Sequence, residues 1–116
     1  MSMAKNDPDY IRWLLTMNDK AVERAIVAIY QRQTADEQSA GDTKHSNGIG
    51  FNGADARLGS YYARWILSGR NLTGNHLIKA RNMSHKYVRQ LVEIATARLA
   101  QAQADERAER EAIQAE

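Results

Sequence analysis

Apolar side chains recur at helical spacing along most of this chain and nearly vanish in its middle. Ile11, Leu14 and Leu15 share one helical face. Asp7-Pro8-Asp9 before them suits a first turn, since proline is tolerated there and acids favour the positive end of the helix dipole. Asn18-Asp19 breaks or re-caps the chain. A second helix is predicted over 20–38, with Val22, Ala25, Ile26, Ile29 and Gln33 on one stripe and Tyr30 beside it. Residues 39–53 read differently. Ser, Gly, Asp, Asn and Thr dominate, and Ile49 and Phe51 are the main apolar exceptions. A loop of that length in a small domain is often functional or mobile, and Asn47-Gly48 is a turn pair that would suit a short hairpin.

A third helix is predicted from Asn52. Asn is a good N-cap, and Asp55 three residues on resembles the second half of a capping box. Leu58, Gly59, Tyr62, Ala63, Trp65 and Ile66 fall on its apolar face, with Arg57, Tyr61 and Arg64 opposite. Gly69 is placed to end it in a left-handed cap. Thr73 opens a fourth helix, and Leu72 can staple onto Leu77. Its apolar stripe runs through Leu77, Ala80, Ser84, Tyr87, Val88, Leu91, Ile94 and Ala95. Lys79, Asn82, Lys86 and Arg89 lie opposite. Beyond Arg98 the sequence keeps its helix propensity but has few residues that need burial. Trp13, Trp65, Tyr62 and Tyr87 are expected in the core or at its edge.

These elements predict an all-α fold. It is a small bundle of three to four helices, with a glycine-rich loop between helices two and three and an extended C-terminal helix. Residues 1–98 would be one domain. Residues 99–116 would be an acidic, Ala/Gln/Glu-rich extension, either helical or frayed. With 116 residues, 43% of them hydrophobic, one modest core is the limit. The chain has no cysteine, which excludes disulfides and thiolate chemistry. No run nears the roughly 20 apolar residues that span a bilayer, and the N-terminus lacks a signal-peptide core. A cytoplasmic protein without membrane contact is expected.

Charge then changes the picture. The formal net charge is +2, yet no acid occurs among the 37 residues between Asp55 and Glu93. That stretch carries Arg57, Arg64, Arg70, Lys79, Arg81, Lys86 and Arg89, with His76 and His85. Residues 1–92 hold 13 basic and 8 acidic side chains, a balance of +5; residues 93–116 hold 3 and 6, a balance of −3. Two readings stand side by side: a plain solvated face, which every amphipathic helix needs, and contact with a polyanionic or acidic partner. The missing counter-charge supports the second, because a solvated face usually mixes Glu with Lys. Arg57, Tyr61, Arg64, Lys79, Asn82, Lys86 and Arg89 are the candidate contact residues. The cations would track phosphates, and Tyr61 could stack on a base.

Other chemistry finds less support. Gly48-x-Gly50-x-x-Gly53 matches a dinucleotide fingerprint in form, but no buried strand precedes it and Asp55 would face the phosphate. A structural loop whose Phe51 tucks into the core is the simpler reading. His45, His76 and His85, even with Asp42 and Asp55, lack metal-ligand spacing. Ser60, Ser68 and Ser84 lack a nucleophile elbow, and Asp36-Glu37 has no partner pair. No catalytic residue, metal site or cofactor is expected, and the protein is read as a non-enzyme.

One string of residues is recognisable. It runs through Arg32-Gln33-Thr34-Ala35-Asp36-Glu37-Gln38, Thr43, Asn47-Gly48-Ile49-Gly50-Phe51, Asp55-Ala56, Leu72-Thr73, Ala80-Arg81, Lys86-Tyr87 and Gln90-Leu91. It resembles a group of small proteins carried by bacteriophages and other mobile elements. The stretch 47–91 is also similar to a helical segment of some helicase-like or replication-associated proteins. Gly74-Asn75-His76 departs from that pattern, where a Lys or Gln is common in the first turn. The resemblance implies a nucleic-acid setting, with DNA or RNA as partner, in the host cytoplasm if the chain is phage-encoded. It also implies an alternative, because small phage proteins often block host defence or replication factors, CRISPR complexes included. The partner would then be an acidic host protein surface. A homodimer through the C-terminal helix is a third expectation.

Overall fold

The computed structural model describes residues 3–40 and 48–115. Among them the chain forms α1 (Pro8–Met17), α2 (Asp19–Ala40), α3 (Ala56–Leu67), α4 (Gly74–Ser84) and α5 (Val88–Gln114). There is no strand among the described residues. A single 3₁₀ turn, His85–Tyr87, joins α4 to α5. The predicted all-α bundle is therefore the observed fold, with the segment from Gly74 to Gln114 as a long C-terminal arm.

The core follows the predicted stripes. Val22, Ile26 and Ile29 of α2 are almost wholly buried, and α2 packs against α1, α3, α4 and α5. Leu15, Tyr62, Ala63, Ala80 and Leu91 close around it from the other helices. Burying a Leu, Ile or Val side chain contributes about 1.5–3 kcal/mol, so α2 is the element on which the bundle depends most. Asn18 makes the α1–α2 joint: its backbone ends α1, and its side-chain oxygen accepts from Ala21 N–H at 3.0 Å to cap α2.

Gly69, at φ +94°, ends α3 as expected. Trp13 is not core: it is 55% exposed and stacks on Tyr10. It lies about 200° around the helix from both Ile11 and Leu15, so the stripe that buries them turns it outward. Leu58, expected on the apolar face of α3, is 37% exposed. The α3 helix begins at Ala56, later than Asn52, and Asp55 occupies the N-cap without a side-chain cap bond. The reason is competition, because the buried Tyr87 hydroxyl and the exposed Lys86 ammonium claim the Asp55 carboxylate. The fourth helix is not continuous: the turn at 85–87 divides its stripe between α4 and α5. Thr73 starts α4 with no side-chain cap bond.

Candidate nucleic-acid interface

The glycine loop is where sequence and fold lock together. Gly50 donates its N–H to Gln90 Oε1 and accepts from Gln90 Nε2, both at 2.9 Å. Phe51 N–H donates to Gln33 Oε1 at 3.0 Å, and Asn52 N–H donates to the Tyr87 hydroxyl at 3.0 Å. Tyr87 in turn donates to Asp55 Oδ2 at 2.6 Å, and Lys86 Nζ reaches the same carboxylate at 3.3 Å. Burial and the bond to Asp55 push the Tyr87 phenol well above its ordinary range. Phe51 is buried against Tyr87 edge-to-face, at 5.6 Å between centroids. Two glycines make this possible. Gly50 sits at φ +84°, where an added Cβ would overlap Gln33, and a Cβ on Gly59 would lie 2.6 Å from the Phe51 ring. The loop from Gly48 to Gly53 is thus a structural staple between α2, α3 and α5, as its sequence suggested. The expected turn at Asn47-Gly48 involves Asn47, which lies outside the described residues, as do Asp42, Thr43 and His45.

The staple also orients α3 against α4. Asp55, before α3, meets Tyr87, after α4. Tyr62, in mid-α3, meets His76 in the first turn of α4, with its hydroxyl 3.1 Å from Nδ1. The two helices therefore run antiparallel. In an antiparallel pair, residues displaced in the same rotational sense from the contact line lie on the same side. Tyr61, Arg57, Arg64 and Trp65 are displaced that way from Tyr62. Lys79, Asn82 and Lys86 are displaced that way from His76. The opposite side, with Gly59, Ala63, Ala80 and Ser84, is buried toward α2. The fold thus brings the basic faces of α3 and α4 onto one outward surface, and Arg57, Tyr61, Arg64, Lys79, Asn82 and Lys86 are all exposed there.

Arg89 is exposed as well, but it belongs to α5. Its guanidinium lies beside Gly48 and about 4.0 Å from Glu93. The Glu93 carboxyl is held below its ordinary range, first by a hydrogen bond from Arg32 and further by the charges of Arg32 and Arg89. Lys86 is tied to Asp55. Arg81, basic in sequence, serves the fold: it donates to Leu15 C=O at 2.8 Å and pairs with Asp19. Arg57, Arg64, Arg70 and Lys79 form no ion pair among the described residues.

Trp65 and Arg70, which were not among the candidate contact residues, also belong to this surface. Trp65, expected in the core or at its edge, lies at the edge: it is half-buried, packs against the core and stacks with Tyr61 at 6.4 Å between centroids. Its indole N–H donates to Asn71 C=O at 3.1 Å, which fixes the ring. Arg70 lies over the outer ring face at 4.4 Å. The signal was present, since Trp65 stands four residues after Tyr61 and that spacing stacks rings along a helix. Tyr61, Tyr62 and Trp65 line a pocket of about 110 Å³ with Thr73 and His76 on its far wall. Burial, and secondarily the neighbouring Tyr61, raise the Tyr62 phenol above its ordinary range.

Among the described residues, no group of three His, Cys, Asp or Glu could hold a metal ion, and no helix is long and apolar enough to cross a membrane. No family model, curated protein or solved structure matches the chain.

Proposed function

We propose that this protein binds nucleic acid through the outward face of α3 and α4, without a catalytic step of its own. We place it as an accessory factor of a phage or mobile element. One observation carries the reading: four cations with no ion pair among the described residues flank a stacked Tyr61–Trp65 shelf on one face. Cations that track phosphates beside rings that stack on bases are the two parts of a single-strand binding surface. Neutralising about four phosphates gives a log–log salt slope near −3 on single strands. Titration of a labelled oligonucleotide at several salt concentrations tests this. Binding that is insensitive to salt, or unchanged in Arg57→Ala/Arg64→Ala, would end the proposal.

A second reading has its own support. Leu58 and Ile78 are exposed beside these cations, and exposed apolar residues ringed by charge also suit a protein partner. That partner would be an acidic surface on a host defence or replication factor. Capture from nuclease-treated host lysate separates the two, because a stoichiometric protein retained without nucleic acid favours inhibition.

A further inference from the structure

On another side of the molecule, α1, α2 and α5 enclose an apolar groove of about 510 Å³. Its floor includes Ile11, Leu14 and Ala25, and Lys5, Arg24 and Arg98 are the charged residues that line it. Among the described residues, no acid lines it. A groove of this sign would be matched by a helix with small apolar residues and acids on one face.

The chain carries such a helix. Past Leu99, α5 continues to Gln114 with every described residue from 100 onward exposed. At about 100° per residue, the stripe of α5 that lines the groove, through Leu91, Ile94, Ala95 and Arg98, extends into Ala102, Asp105, Glu106, Glu109 and Ile113. Arg107 and Arg110 fall away from that stripe. The extension thus presents three acids and a 66% exposed Ile113 on the face continuous with a groove lined by three cations. Within its own chain the helix runs past the groove and cannot enter it.

We infer that a second copy of this chain fills the groove: two α5 helices pair antiparallel about a two-fold axis near Ala102, and each extension lies in its partner's groove. The pairing is self-complementary, as a two-fold interface requires. Leu91 meets the partner copy of Ile113, Arg98 meets Glu106, and Ala102 meets its own equivalent, where the small side chain allows close approach. Within the chain, Glu106 is 3.5 Å from Arg110 and Asp105 accepts from Gln101. Both contacts are exposed, and such pairs are worth little, so they leave the acids free to engage the partner.

The test is charge reversal in the full chain, read by sedimentation equilibrium over two decades of concentration. The wild type should approach twice the 13.1 kDa chain mass. Arg98→Glu or Glu106→Lys alone should be monomeric, with helical circular dichroism unchanged, and the double variant should recover the dimer. A wild-type chain that stays monomeric overturns the inference, as does a dimer indifferent to either single reversal or a double variant that fails to recover. Uptake of an anionic amphiphile by a monomeric wild type would assign the groove to that ligand instead.

Discussion

Replacing Gln90 by Ala should destabilise the fold by about 3 kcal/mol, and the structure shows why the value is bounded on both sides. Gln90 is 6% exposed, and its amide satisfies both the N–H and the C=O of Gly50. If the loop stayed in place, two buried backbone groups would lose their partner at about 1–3 kcal/mol each. The loop can escape that loss by detaching. Detachment exposes Phe51, worth about 1.5–3 kcal/mol, and breaks the bonds to Gln33 and Tyr87, each about 0.5–1.5 kcal/mol. Both routes cost at least about 2 kcal/mol, so neither relieves the other. Urea unfolding followed by circular dichroism measures the loss. Chymotrypsin cleavage after Phe51 distinguishes the routes, being accelerated only if the loop detaches. Gln90→Glu should fall between wild type and Gln90→Ala, because it keeps an acceptor for Gly50 N–H and Arg32 but loses the donor to Gly50 C=O. A loss below about 1 kcal/mol with unchanged cleavage would refute the staple.

Three further outcomes follow from the geometry. Gly59→Ala should lower stability by about 1–3 kcal/mol despite its better helix propensity, because the new methyl meets the Phe51 ring; thermal unfolding checks the sign. Tyr62 and Tyr87 have raised folded pKa values, so their contribution to stability is complete below the ordinary phenol range and is lost as pH rises through the folded values. Phenolate absorbance of the native protein should therefore lag for part of its five tyrosines, the same chain in denaturant should titrate in one wave, and Tyr87→Phe should shrink the lag. Trp13→Ala should change stability by no more than about 0.5 kcal/mol in chemical denaturation, as expected of an exposed surface side chain.

The bundle was legible because its signals are local. The stripe from Val22 to Ile29 and the cap at Gly69 follow from spacing and residue type alone. The loop was legible in part: positive φ and the burial of Phe51 could be read from Gly50 and its neighbour. Its partners could not be, since Gln33, Tyr87 and Gln90 come from distant segments and their hydrogen bonds exist only after folding. Asp55 illustrates the same limit. Its position favoured a helix cap, but a buried tyrosine hydroxyl and a lysine took its carboxylate. Trp65 stands at the core edge as expected; its four-residue spacing from Tyr61 carried the signal for their stack, but the bond that fixes the ring, to Asn71 C=O, exists only after folding. The basic faces were visible residue by residue. That they share a surface depended on the antiparallel run of α3 and α4, and that Arg81 and Lys86 are already paired depended on acids far away in the chain.

The most direct measurement of the binding proposal uses Trp65 as its reporter. In Trp13→Phe it is the one tryptophan left, and it sits in the Tyr61 and Arg70 stack at the centre of the proposed face. Titration with an unlabelled single-stranded oligonucleotide should quench its emission to saturation. Tyr61→Ala in the same background should weaken binding by about 1–3 kcal/mol, the usual worth of one base stack. An emission that stays constant while anisotropy of a labelled strand reports binding would place the nucleic acid elsewhere and contradict the account.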